Sequence, residues 1–379
     1  MALIARIPIT NIYAGGDYTG RILVGPERKP MNVLLDTGSS ALALDGTKYQ
    51  PDIADGDQTT DLAQTDSYGD NSSWVGAVIK TEIVAGDGGT AVTLQNGNAA
   101  IAYTASGNMF GNTDGILGLA YAPLDDAFTM PDNTWTQQYS ETDVRSGQAG
   151  PIQPYLTQLA GTGVVSDKIS FLTRRSFPHA GGGDANDPLN QGWMIIGGGE
   201  ESTDLYTGGF QVVTVLSNDW YSTNLRSIIV GNTDPIAARL QGPQGMPTNS
   251  IIDSGTNSLC LSSQLLNAVL SKFSTSQQQL LTNSIHSGNP ASTADINLAD
   301  WPTITFILQG DAGDVSLQVT PSDYWQMDAG EAGAAMPAIT PGQPGLAILG
   351  LPLMNGYFTI FDGEADGGCG VIKFATAAA

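Results

Sequence analysis

The sequence is poor in the residues that most often carry catalysis, with two histidines and two cysteines in 379 positions. His179 and His286 lie in different stretches of the chain, so a histidine-built zinc site is not expected, nor is any other metal or cofactor. His179 stands between Pro178 and a glycine run, the setting of a solvated loop residue. No G-x-S-x-G elbow occurs, which argues against a Ser-His-Asp hydrolase. Cys260 and Cys369 are too few for a disulfide framework; they either form one bridge or remain as two thiols. Positive charge is scarce as well: 14 Lys+Arg face 37 Asp+Glu, and the net charge of −23 repels nucleic acid and anionic membrane surfaces. Neither is expected as a partner. No apolar run approaches the roughly 18 residues of a membrane-spanning helix. The first residues, Met1 to Pro8, lack the pattern of a secretory leader, so a chain retained in the cytoplasm is the expectation.

Glycine and proline, by contrast, are plentiful, at 47 and 20, and are spread along the chain. They punctuate short β-branched and aromatic runs at 22–25, 33–35, 74–84, 91–94, 169–172, 193–196, 210–216, 228–230, 303–308, 315–319 and 357–361. This is the pattern of an all-β protein. Helix is predicted only at 152–160 and 262–274, the second opened by serines that can cap it. Segments 123–150 and 327–345 read as long surface loops. The length suits two domains, and the glycine-rich stretch 181–190 is the expected seam, dividing the chain into 1–180 and 181–379.

The two halves echo one another. An apolar run leads into Asp36-Thr37-Gly38-Ser39, and Ile251-Ile252 leads into Asp253-Ser254-Gly255-Thr256. Farther on, each half carries an apolar pair closed by glycine, Ile116-Leu117-Gly118 and Ile348-Leu349-Gly350. One Asp-Thr-Gly is an ordinary turn. The same order in both halves indicates a duplication. In each turn the glycine lets a second backbone approach, and the hydroxyls supply hydrogen bonds. Two such turns face to face put two carboxylates together, and carboxylates a few ångströms apart share a proton and titrate as a unit. One can then take a proton from water while the other, protonated, hydrogen-bonds a substrate carbonyl. That chemistry is acyl hydrolysis without histidine, cysteine or metal.

These motifs resemble those of the pepsin-like aspartic peptidases, and the resemblance runs over most of the chain. Tyr18-Thr19-Gly20 with 22–25 is similar to the strand before the first motif, Ser67-Tyr68-Gly69 to the tip of the flap, and Asp114 through Ala120 and Ala347 through Gly350 to the segments supporting the two loops. The resemblance implies a bilobal fold of two similar β-barrel-like lobes with a cleft between them. It implies that Asp36 and Asp253 activate the lytic water, and that Thr37 and Ser254 grip the opposite loops. It further implies that Ser39 and Thr256 bond the outer carboxylate oxygens, and that Tyr68 and Gly69 close over a bound peptide. Leu34 and Ile116 would line an apolar pocket, or simply pack in the core. Shared protons on paired carboxylates are established behaviour of this family rather than a property peculiar to this chain. The implied activity is endopeptidase cleavage at acidic pH beside apolar or aromatic residues. The implied partners are peptide or protein substrates and statine-type inhibitors such as pepstatin. With both lobes in one chain, a monomer suffices.

Two departures stand out. Family members carry a tryptophan seven residues after the first aspartate, where this chain has Ala43, leaving Trp74 as the candidate to hold Tyr68. The flap continues as Asp70-Asn71-Ser72-Ser73, which is long and polar. Without leader, prosegment or disulfide pattern, the sequence resembles most the bacterial pepsin homologues of shewasin type. Two other readings remain: a catalytically silent pepsin-like protein that binds peptides or inhibitors, and a glycoside hydrolase with paired carboxylates. Near pH 4 about half of the carboxylates are neutral and self-repulsion subsides, so greater stability is expected at mildly acidic pH than at pH 8.

Overall fold

The computed structural model describes residues 2–69, 71–180, 186–238 and 248–378. Strand outweighs helix, 45% against 16%, and the fold is the all-β, bilobal one expected. Each run singled out above overlaps an observed strand, though 22–25, 91–94, 210–216 and 303–308 reach one or two residues past its ends. Others escaped notice, among them Ala5–Ala14, which buries Ala5, Ile7, Ile9 and Asn11 in alternation, and Gln58–Ser67.

The duplication is visible in the pairing. In the first half Lys29–Asp36 runs parallel to Gly115–Gly118, with Asp36 opposite Gly118. Gly115–Gly118 is antiparallel to Leu42–Asp45, itself parallel to Val92–Ser106. In the second half Ser250–Ile252 runs parallel to Ala347–Leu349, which is antiparallel to Leu259–Ser262, itself parallel to Ile339–Gly342. Each aspartate therefore leaves the end of a buried strand at the crossing point of its half.

A shared sheet joins the halves. Ala5–Ala14 pairs with Gln191–Ile196, which pairs with Lys168–Leu172, then Tyr357–Asp362, then Val371–Ala377, then Tyr206–Thr214. Asp362 is buried there between the ammonium groups of Lys168 and Lys373, at 2.9 and 2.8 Å. The expected seam falls partly on 181–185, outside the described residues.

Several expectations are corrected. Segment 123–150 is not a plain loop, because Asp126–Thr129 and Gln148–Pro151 pair as a hairpin around the helix Glu141–Arg145, which Ser140 and Asp143 cap reciprocally. Segment 327–345 contains Ala334–Pro337, paired with Trp325–Met327, and Ile339–Gly342. The single helix expected at 262–274 is Ser263–Leu270, capped by Ser262, while Ser274 caps a further helix, Thr275–Ser287. Cys260 and Cys369 are both free thiols. His179 is not simply solvated: its Nδ1 lies 2.6 Å from the Asp187 carboxylate.

Candidate active site

Val33 and Leu35 are fully buried, so the strand carrying them delivers Asp36 into the interior with 6% of its surface exposed; Asp253 keeps 7%. The glycine-closed segments hold the turns that follow. Leu119 N–H donates to the Asp36 carbonyl and Ala120 N–H to that of Ser39, both at 2.8 Å. In the second half Leu351 N–H donates to the Thr256 carbonyl at 2.8 Å. A Cβ on Gly118 would sit 2.6 Å from the Ala41 nitrogen, and one on Gly350 2.6 Å from the Ser258 carbonyl, so no side chain fits at either place. This close packing is the physical reason for a glycine after each Ile-Leu pair.

The two turns meet. A Cβ on Gly38 would lie 2.8 Å from the Asp253 carboxyl carbon, and one on Gly255 2.7 Å from that of Asp36. Each motif's glycine is thus the floor on which the other motif's aspartate rests. Thr37 N–H donates to Ser254 Oγ at 3.1 Å and Ser254 N–H to Thr37 Oγ1 at 2.9 Å. The same hydroxyls donate onward, Thr37 to the Ile252 carbonyl and Ser254 to the Leu35 carbonyl, at 3.2 and 2.8 Å. Replacing Ser254 by Ala would strand the Thr37 N–H and the Leu35 carbonyl in a dry interior. A melting temperature lower by about 5 °C or more is expected for Ser254→Ala, with Ser254→Thr close to the parent.

Around the carboxylates the hydrogen bonds repeat with the same twofold logic. Asp36 Oδ1 accepts from Gly38 N–H at 2.7 Å and Oδ2 from Ser39 Oγ at 2.5 Å. Asp253 Oδ1 accepts from Gly255 N–H at 2.8 Å and Oδ2 from Thr256 Oγ1 at 2.6 Å. Burial pushes the Asp36 carboxyl well above the usual range, and the neighbouring Asp253 adds to this. Hydrogen bonds from Ser39 and Gly38 oppose the rise without cancelling it. The Asp36 carboxyl therefore keeps its proton to higher pH than an isolated carboxyl does.

Tyr68 sits at the end of the hairpin formed by Gln58–Ser67 and Ser73–Ala85, its N–H donating to the Ser72 carbonyl at 2.9 Å. With Leu34 and Met109 it packs on a cluster of Ala41, Ala43, Trp74, Ala100, Ala102, Phe110 and Ile116. Trp74, 1% exposed, fills the room that the small residue at 43 leaves, and its Nε1 donates to Tyr68 Oη at 3.5 Å. The Ser39 hydroxyl reaches Tyr68 too, so a chain of contacts runs from Trp74 through Tyr68 and Ser39 to Asp36. Gly69 is exposed at the tip; Asp70 lies outside the described residues. Trp74→Phe keeps the ring and deletes the donor, and is expected to lower kcat/KM about fivefold with little change in melting temperature.

Two residues near the pair had no sequence motif to announce them. Trp220, in a polar turn of the second half, donates its Nε1–H to the Gly38 carbonyl at 2.8 Å and so ties the first turn to the other half. Asp17 begins the strand Asp17–Val24. An open depression of about 690 Å³, lined by Met130, Tyr139 and Asp143 among others, contains none of these residues.

The sequence of this chain matches the family model of the eukaryotic aspartyl proteases over residues 17–147 and 185–375. It is 23% identical to gastricsin of Mus musculus over 362 residues, 92% of this chain and 79% of that protein. It is 26% identical to rhizopuspepsin-5 of Rhizopus niveus over 282 residues, 71% of this chain and 60% of its relative. Rhizopuspepsin-2 of the same organism is 23% identical over 369 residues, 94% of this chain and 79% of that protein. With the paired turns in place and the match spanning both halves, the chain belongs to the eukaryotic aspartyl protease family.

Proposed function

We propose that this protein is an endopeptidase in which Asp36 and Asp253 share one proton and act on a water held between them. The ionised carboxylate takes a proton from the water as its oxygen attacks the peptide carbonyl carbon. The protonated carboxyl gives its proton to the carbonyl oxygen, so a tetrahedral diol forms while the pair keeps its single charge. Collapse of the diol breaks the C–N bond: the leaving amine takes the proton of the pair, one diol hydroxyl gives its proton to the other carboxylate as the C=O bond forms, and the starting singly protonated state returns. The observation that carries this reading is the twofold set of hydrogen bonds on the two carboxylates, with each glycine seated beneath the opposite aspartate.

In this reading Thr37 and Ser254 hold the two turns at fixed separation, and Tyr68 with Gly69 closes over an extended peptide and excludes water. Leu34 and Ile116 offer an apolar surface beneath the flap, which supports a preference for apolar or aromatic residues at the scissile bond. The hydrogen bonds of Ser39 and Thr256 stabilise the ionised member and support action at acidic pH. We further propose the division into lobes 1–180 and 181–379, a monomeric state, and kinship with the shewasin-type bacterial enzymes. The two free thiols are compatible with a reducing cytoplasm.

A statine-type inhibitor titrated against a quenched internal peptide substrate between pH 3 and 7 tests this reading. Cleavage within the peptide, stopped stoichiometrically by the inhibitor, is the expected result. Inhibitor binding without turnover at any pH would instead make the protein a silent peptide-binding member.

A further inference from the structure

The two aspartate turns repeat each other's hydrogen bonds, but one bond has no counterpart. Trp220 Nε1–H donates to the Gly38 carbonyl at 2.8 Å, whereas among the described residues no side chain donates to the Gly255 carbonyl. The strand pairing shows why. Thr19 stands opposite Leu34 and Ser222 opposite Ile251, each at the same distance before its aspartate, so the place of Trp220 falls to Asp17 in the first half. The duplication supplies the indole on one side only.

What this bond holds is the looser part of the turn. Gly38 has to be glycine, because a Cβ there would lie 2.8 Å from the Asp253 carboxyl carbon, and glycine leaves its own backbone angles little restricted. The peptide plane that follows carries the Gly38 carbonyl and the Ser39 nitrogen together. Gly38 N–H donates to Asp36 Oδ1 and Ser39 Oγ to Oδ2, so that plane joins the two donors of one carboxylate. Fixing its carbonyl fixes the orientation of both.

Trp220 is itself fastened beside the other aspartate. Its turn closes with Ser222 N–H on the Trp220 carbonyl at 2.7 Å and Ser217 Oγ on the Asp219 carboxylate at 2.8 Å. Ile252 N–H donates to the Tyr221 carbonyl at 3.2 Å, and Ser222–Thr223 pairs with Ser250–Ile252, the strand that delivers Asp253. Toward the first half, Tyr121 N–H donates to the Asp219 carbonyl at 3.4 Å and Tyr221 Oη to the Leu119 carbonyl at 3.2 Å. Asp219, Trp220 and Tyr221 in succession thus bond the segments around Asp36 from a turn anchored next to Asp253.

We propose that Trp220 is a positioning residue of the reaction: its indole N–H holds the Gly38–Ser39 peptide, and with it the Asp36 carboxyl, in register with Asp253. The inference rests on the endopeptidase reading and deepens it.

Two replacements test it. Trp220→Phe keeps an aromatic ring and removes the donor, and benzothienylalanine at the same position keeps the full shape with sulfur in place of N–H. In both, kcat on a quenched peptide is expected to fall about tenfold while KM stays within about twofold, the effect of one hydrogen bond lost from the reacting geometry. The acid limb of the kcat/KM profile is expected to move up by about half a pH unit. The sign follows from the Gly38 and Ser39 bonds, which lower the Asp36 carboxyl and are held less firmly without the indole; the other titratable groups that act on this site, Asp253, Tyr68 and Asp17, remain in both proteins. A rise in KM alone, with kcat and the acid limb unmoved, would make Trp220 a surface that the peptide touches and would overturn the inference. A lower melting temperature with full kcat would overturn it too, by assigning the bond to stability. If Trp220→Phe does not fold, the isosteric replacement decides. Cleavage by the parent upholds the endopeptidase reading in every one of these cases, and a parent without cleavage removes both.

Discussion

Asparagine in place of Asp36 or Asp253 is expected to reduce kcat/KM on a peptide substrate by about 10⁴-fold or more, without lowering the melting temperature. The loss is large because the reaction needs one ionised and one protonated carboxyl at the same moment, and an amide can be neither. The fold tolerates the change. An amide oxygen can still accept from the Gly38 or Gly255 N–H, and the Ser39 or Thr256 hydroxyl can rotate to accept from the new amide nitrogen. One of two crowded acids also disappears, which removes the repulsion that raises Asp36. Steady-state kinetics beside a thermal melt of each variant check this. Turnover within tenfold of the parent in either variant would exclude the shared pair.

Raising the pH from 5 to 8 is expected to remove activity and to lower the melting temperature, the latter by about 5 °C. Activity fails when the pair loses its last proton, because no acid then remains for the carbonyl oxygen. Stability follows the same sign. Burial lifts Asp125 to about 7 and Asp167 to about 6, and Asp36 and Asp17 also lie above their ordinary values. A carboxyl raised on folding contributes stability that is complete below its unfolded pKa and is lost as pH climbs through the folded one. For Asp167 and Asp125 that loss falls between about pH 4 and 7. The opposite group is smaller. Asp362 is raised by burial but carried below the usual range by hydrogen bonds from Lys373 and Lys168, and Asp187 is lowered by its bond to His179. Their contribution is lost only on acidification below about pH 4. A melting temperature that rises steadily from pH 4 to 8 would contradict this balance.

The twin motifs were legible because their function is encoded within a few residues. Aspartate, hydroxyl and glycine must be adjacent for the turn to form, and each Ile-Leu-Gly must present a bare backbone to it. Strands with β-branched runs were legible for the same local reason. The hairpin of Asp126–Thr129 with Gln148–Pro151 was not: its strands are four residues long, too short for a clear alternation, and separated by a helix. Trp74 was identifiable only as a residue that could answer the gap at Ala43, since its contact with Tyr68 depends on the flap strands folding back together. Trp220 and Asp17 depend wholly on tertiary structure. Neither lies in a motif, and each gains meaning from a turn far away in the chain that folding brings beside it.

The most direct measurement of the central claim compares Asp36→Asn, Asp253→Asn and the double variant on one peptide at the optimal pH. Residues that act as one unit give non-additive losses, so the double variant is expected to be no slower than either single variant, with all three losses near 10⁴-fold. Losses that multiply, or one single variant that keeps substantial turnover, would show two carboxylates working separately and would contradict the shared-proton pair.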